Sequence, residues 1–404
     1  MTPAHPATVC FPFVGDLVGG SHISVLGLLK GLDRRRFTPL VLVSQTNGTV
    51  AHLFEDAGIP VERAPSSPEL AHGRSVGVVV GARLAARTVA LARFLRSQNV
   101  DIVHSNDGRT HATWALATKL AGARLLWHHR GAPNAMGLRY AAPLLANRVV
   151  AVSRFASPDP GYYSAARRTH VIHSPFDTTE RHDRTAARDA IRGELGLPTN
   201  AALIAFSGAL IDRKRPLLFV AALAAMRRAR PEAEIHGIMF GESLDDMAER
   251  VDREAGRLGV SDRVHVMGFR PCGAFWLAGC DLLMIPAIDE PFGRTLIEAM
   301  LVGTPVVATA SGGNVEAIRD GASGRLVAPE CDVALATACL DLLEHPEAAR
   351  SLADVARAEA ITRYGEAAHA DAIMAVYEDM LAKAPRRVRQ GPGQDPRGDA
   401  LGFR

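Results

Sequence analysis

Two kinds of hydrophobic pattern alternate along the chain. Short runs of consecutive apolar and β-branched residues are separated by longer stretches in which apolar positions return every three to four residues. The first kind predicts buried strands and the second predicts helices. In the first half, strands are expected at 8–14, 39–44, 101–105, 124–128, 148–152 and 169–173, with helices near 23–32, 76–97 and 110–120. In the second half, strands are expected at 202–207, 234–240, 263–267, 281–285, 305–308 and 325–327, again with helices between them. Such alternation argues for α/β architecture, with parallel sheets covered by helices on both faces. Strands apolar at nearly every position fit burial on both sides.

The rhythm breaks once, at the polar stretch His173-Ser-Pro-Phe-Asp-Thr-Thr-Glu-Arg-His-Asp183, which reads as an interdomain linker before a helix from about Arg184. The expected organisation is therefore a first doubly wound domain at 1–180 and a second at 181–363. A last amphipathic helix follows at 364–384, then a disordered basic tail at 385–404 rich in Arg, Gly, Pro and Gln. The stretch 64–68, Ala-Pro-Ser-Ser-Pro, reads as a mobile loop. Ligands of doubly wound sheets bind beyond the carboxyl ends of the strands, so two such domains facing each other would enclose a deep cleft.

Composition narrows the class. The 404 residues are 48% hydrophobic and 22% charged, as expected of a folded α/β protein. A net charge of +3 is too small to argue for a nucleic-acid partner. Local basic runs, Arg34-Arg35-Arg36 and the series Arg83, Arg87, Arg93 and Arg96, read either as solvated helix faces or as an attraction to anionic lipid or an anionic acceptor. No window is apolar enough for a membrane span, and the first residues lack the basic region of a signal peptide. The 5 cysteines form no C-x-x-C pair and are expected to be reduced and mostly buried. These features fit a cytoplasmic location and leave room for peripheral contact with the inner face of a membrane. No metal site is expected.

The densest chemistry lies in Ile285-Pro-Ala-Ile-Asp-Glu290-Pro-Phe292-Gly293-Arg294-Thr295-Leu-Ile-Glu298. A buried strand enters a loop, and a helix begins near Phe292. Gly293 lets the backbone approach a ligand. The free N–H groups near Gly293, Arg294 and Thr295 favour a phosphate. Glu290 and Glu298 are suited to accept sugar or ribose hydroxyls. A second basic turn, Gly208-Ala209-Leu-Ile-Asp-Arg213-Lys214-Arg215-Pro216, follows another strand.

With these residues in view, the chain resembles glycosyltransferase family 4, of GT-B architecture. The resemblance rests on E-x(7)-E, on the following Gly303-Thr-Pro305-Val-Val-Ala, and on Ser311-Gly312-Gly313-Asn-Val-Glu316. It implies two Rossmann-like domains and transfer of a sugar, with retention, from a nucleotide-diphosphate sugar. No cofactor or metal is implied. The acceptor stays open among lipid, glycan and small metabolite. The resemblance puts Lys214 and Arg213 on the diphosphate, with Glu290 and Glu298 on donor hydroxyls. It sets the base against Gly268, Phe269 and Arg270, and the loop of Gly19-Gly20 near the diphosphate or acceptor. A histidine after the 124–128 strand would touch the donor sugar, His129 being favoured over His128. Asn106-Asp107 is a candidate acceptor contact. The family's arginine after Gly208 is Ala209 here, and Arg213 or Arg215 is expected to take over its charge. A GT-B-like nucleotide-sugar epimerase and a non-catalytic binding subunit are the rival readings.

Overall fold

The computed structural model describes residues 5–65, 78–243 and 245–382, with the side chains of 78–85 left out. The expected tail at 385–404, most of the 64–68 loop, the first two residues of the 76–97 helix and the side chain of Arg83 lie outside the described residues.

The first sheet contains β1 (Ala7–Pro12), β2 (Phe37–Val43), β3 (Val61–Arg63), β4 (Ile102–Ser105), β5 (Arg124–His129), β6 (Arg148–Ala151) and β7 (Thr169–Val171). The second contains β8 (Ala202–Ser207), β9 (Ile235–Phe240), β10 (Val264–Gly268), β11 (Leu282–Ile285), β12 (Val306–Thr309) and β13 (Arg325–Val327). Strand order is β3-β2-β1-β4-β5-β6-β7 in one and β10-β9-β8-β11-β12-β13 in the other. Every pairing is parallel. These are two doubly wound Rossmann-like sheets, each reversing direction between its first and fourth strands. The short edge strand β3 is absent from the sequence expectation. It has three residues and no buried side chain, so it carries no apolar run.

Burial explains the strands. Val9, Phe11, Val41, Ile102, Leu126 and Val150 pack on one face of the first sheet, while Cys10, Leu42, Val103, Leu125 and Val149 pack on the other. Both faces are covered, so alternation disappears and the sequence reads as continuous apolar runs. Cys10, Cys280 and Cys339 are buried and Cys272 is exposed; all five cysteines are free.

Two chain crossings join the lobes side by side. Outbound, Phe176 donates its N–H to the carbonyl of Tyr364 at 2.9 Å and bridges to Gly365. Inbound, helix Pro346–Tyr364 ends there and a separate helix, Glu366–Ala382, returns to the first lobe. Tyr364 thus closes one helix rather than opening the last. The returning helix buries Ile373, Met374, Tyr377 and Met380 among residues of β1 and β2. At about 1.5–3 kcal/mol per fully buried apolar side chain, this contact makes the last helix part of the first lobe's core. All three Arg34–Arg36 side chains have partners, Arg35 meeting Asp33 at 3.4 Å. Arg34 bonds the carbonyl of Leu29, and Arg36 pairs with Glu378 of the returning helix. Among the described residues no helix is long and apolar enough to cross a membrane.

Candidate active site

The carboxyl ends of the two sheets face each other around one cavity of about 740 Å³. From the second lobe come Lys214, Glu290, Phe292, Arg294 and Thr295; from the first come Gly20, Asn106, Asp107, His129, Arg130 and Ser174.

The β8 turn builds the cationic side. Residues Asp212–Lys214 form one 3-10 turn, and the carbonyl of Arg213 accepts the N–H of Ile288 at 3.0 Å, tying this turn to the β11 loop. Gly208 sits at φ +133°, and a Cβ there would lie 2.7 Å from Nζ of Lys214. The glycine therefore leaves the space the lysine occupies. Lys214 Nζ then stands 3.4 Å from Glu290. Arg213 pairs with the same carboxylate. Burial pushes the Glu290 carboxyl up, but Lys214 and Arg213 outweigh it and hold the group below its usual value. Arg215 is turned away and pairs with Glu330 at 2.7 Å. Of the two arginines expected to replace the cation missing at Ala209, only Arg213 reaches the site.

The β11 loop is held by the glycine pair that follows β12. Gly313 N–H bonds the carbonyl of Glu290 at 2.7 Å. A Cβ on Gly312, at φ +57°, would come within 2.5 Å of that carbonyl. Helix Arg294–Leu301 starts behind Gly293, its N-cap. The guanidinium of Arg294 faces away from a ligand role. It donates to Ser24 Oγ at 3.1 Å and the carbonyl of Pro175 at 3.2 Å, and lies 4.2 Å over the Phe176 ring. Its Cδ packs where a side chain on Gly20 would go. Arg294 is thus a bridge between the lobes. Glu298, one turn on, lies 3.5 Å from Arg294, outside the cavity lining. Burial raises its pKa, partly offset by Arg294.

Glu316 also joins the lobes, accepting the N–H groups of Arg154 and Phe155 at 2.9 and 2.8 Å. Gly268, Phe269 and Arg270 stand apart from the cavity, at the end of the edge strand β10. The Phe269 ring is exposed, and Arg270 is engaged by Glu194 and lies over Trp276.

On the first lobe the histidine pair separates cleanly. His129 lines the cavity and donates from Nε2 to the carbonyl of Ala132 at 2.9 Å. Burial lowers its pKa, so at neutral pH the ring is uncharged and Nδ1 remains an acceptor. His128 is fully buried, its Nδ1 3.0 Å from Nε2 of His104, whose Nδ1 meets the Tyr377 hydroxyl at 2.5 Å. That chain runs from β5 through β4 to the returning helix and is structural.

Arg130 is a site residue the sequence did not single out. Its guanidinium bonds Ser174 Oγ at 3.0 Å and His128 Nδ1 at 3.3 Å, and no carboxylate pairs with it among the described residues. Burial, and then the nearby Arg294, push it down to about 9, with Asp107 opposing. Arg130 is half-buried; a cation drawn out of water without a partner anion is costly, and such groups mark anion-binding positions. Asn106 Oδ1, also buried, has no hydrogen-bond partner. Asp107 caps helix Gly108–Ala121 through the N–H of Thr110.

Comparisons with known proteins bear on the fold and on the second lobe. Residues 187–359 match the family model described as glycosyl transferases group 1. A D-inositol 3-phosphate glycosyltransferase of Streptomyces coelicolor is 34% identical over 217 residues, 51% of this chain and 47% of that protein. One of the same description from Streptomyces scabiei is 27% identical over 89% of this chain and 86% of its own. The chain spans about half the length of most of the curated relatives it matches. Anabaena HepE in complex with UDP-glucose superposes with a TM-score of 0.77 at 25% identity, over 92% of this chain and 99% of that one. Sucrose-phosphate synthase from Thermosynechococcus elongatus shares the fold, with a TM-score of 0.71 at 20% identity, over 94% of this chain and 100% of that one. The chain has the GT-B fold, with the match to glycosyl transferases group 1 confined to its second lobe.

Proposed function

We propose that the protein is a retaining glycosyltransferase that takes its sugar from a uridine-diphosphate sugar. The observation that carries this reading is the meeting of Lys214, Arg213 and Glu290 beside the N-terminus of helix Arg294–Leu301, inside a cavity between two doubly wound sheets. The UDP-glucose complex of the HepE neighbour supports the choice of donor.

In this reading the diphosphate lies against Lys214, Arg213 and the free N–H groups of Gly293, Arg294 and Thr295. Arg130 adds charge from the opposite lobe, where Ala209 leaves the second lobe one cation short. Glu290 accepts hydroxyls of the donor sugar, Glu298, partly exposed beside the cavity-lining Arg294, accepts those of the ribose, and His129 accepts one more through Nδ1. The acceptor hydroxyl attacks the anomeric carbon on the face the diphosphate leaves. The bond from that carbon to the phosphate oxygen breaks, and the departing oxygen takes the hydroxyl proton. Glu290 is held by two cations and does not act as a nucleophile, unlike the carboxylate of a retaining glycosidase. Catalysis is electrostatic: fixed cations and a helix N-terminus meet the charge that develops on the diphosphate, and no metal takes part.

The test is transfer from UDP-glucose, with the product's anomeric configuration read by NMR. An α-linked product supports retention. A β-linked product removes the same-face path.

A further inference from the structure

The cavity extends well beyond the polar groups used above. Its far wall is formed by helix Gly108–Ala121 and by the segment Gly137–Leu145, a π turn running into an α turn. Ala112, Ala115 and Leu116 come from the first, Leu138 and Leu145 from the second, and Trp127 closes the base. Nothing in the binding of a nucleotide or a polyol calls for this surface.

The same two elements carry a second anomaly. On the helix, Ala112, Leu116 and Leu120 stand at i, i+4 and i+8, and all three are exposed. At and along the segment, Met136, its N-cap, with Tyr140 and Leu144 repeat that spacing and are also exposed. An outward stripe on a surface helix is normally polar. Of the sixteen large apolar side chains exposed among the described residues, seven fall between 116 and 163. Tyr163 adds to the patch, its hydroxyl bonded to the carbonyl of Tyr140 at 2.8 Å. Leu116 belongs to both surfaces, lining the cavity while 48% exposed, so the apolar wall is continuous with the patch outside. Lys119 and Arg139 stand exposed beside it, the latter 5.5 Å from the Tyr140 ring.

From this we propose that the acceptor is a lipid hydroxyl. Its chain lies along the wall of Trp127, Leu138 and Leu145, leaves between Leu116 and Leu144, and is presented by a membrane surface that the two stripes contact. The assignment rests on the glycosyltransferase reading and gives its acceptor class. A compact aromatic acceptor would fill the inner wall but has no use for the outward stripes. A long chain uses both, and the flanking cations suit an anionic lipid surface.

The experiment uses the full chain with vesicles of phosphatidylglycerol bearing brominated acyl chains. Sedimentation with the vesicles and quenching of tryptophan fluorescence are measured. The variants are Leu116→Glu/Leu144→Glu, both at exposed positions, and Val333→Glu as a control on the other lobe. Wild type and the control are expected to bind, with quenching. The double variant is expected to lose roughly tenfold or more in vesicle affinity, since two apolar side chains leave the contact. Stabilisation by UDP, read as a thermal shift, is expected to stay the same in all three. Absence of vesicle binding by wild type, or equal binding by the double variant, overturns the proposal. So does a dimer in solution that the double variant dissolves, because the stripes then face a second copy. Transfer of glucose to D-inositol 3-phosphate at an equal rate in wild type and double variant overturns the acceptor assignment. Failure of UDP to stabilise wild type sinks the donor reading instead, and is distinguishable because it does not depend on lipid.

Discussion

Lys214 and Glu290 stand 3.4 Å apart, although 75 positions separate them and they belong to loops after different strands. Arg213 shares the same carboxylate. In the free protein the carboxylate therefore occupies the cations that a diphosphate would meet. Glu290→Gln removes that competition and also removes a hydroxyl acceptor. UDP affinity is expected to be kept or tightened, while UDP-glucose affinity falls relative to UDP. Calorimetric titration with the two ligands separates the terms; a parallel loss for both would show that Glu290 does not contact the sugar.

Gly208 gives a stability prediction with a functional echo. Its φ of +133° is strained for any side chain, and a Cβ would collide with Lys214. Gly208→Ala is expected to cost about 1–3 kcal/mol in urea unfolding, the usual range for a side chain forced into such backbone. It should also weaken UDP binding, because Lys214 must move.

Glu298 ties pH to stability. Burial raises its pKa above the unfolded value. A carboxyl with a raised folded-state pKa contributes stability at low pH that is lost as pH rises through that pKa. Above that window the free protein holds a half-buried, ionised carboxylate. Glu298→Gln should then raise the melting temperature at neutral pH and flatten its fall with pH, while weakening UDP-glucose binding. Melting curves from pH 4 to 8 decide the sign.

Tyr377 locks the returning helix to the first lobe through His104. Tyr377→Phe keeps the ring but leaves a buried imidazole nitrogen without its partner. The expected loss is about 1–3 kcal/mol of unfolding free energy. UDP binding should be unchanged, since neither residue lines the cavity.

Because the charge on the leaving diphosphate is assigned to protein cations, prior dialysis against EDTA should leave the transfer rate unchanged. A rate restored only by added divalent ion would contradict that assignment.

Much of this was legible in sequence for a physical reason. Central parallel strands are buried on both faces, so β1, β8 and β11 show as unbroken apolar runs. Glu290 and the Gly312-Gly313 turn were readable together because close backbone packing restricts which residues fit. Arg130 was not legible. A single arginine after a strand carries no pattern, and its meaning comes from partial burial without a carboxylate. Arg294 and Glu316 were read as part of the donor motif, yet their side chains hold the two lobes together, a contact between distant segments that local spacing does not encode. Arg270 shows the opposite failure, since its charge is met by Glu194 of helix Arg184–Leu195.

The central claim is that Lys214 belongs to a diphosphate site. Titration calorimetry of UDP against wild type and Lys214→Ala tests it directly. Saturable binding by wild type, weakened roughly ten- to a hundredfold in the variant, is the expected result for loss of a charged hydrogen bond. No binding by wild type, or equal affinity in both proteins, would contradict it.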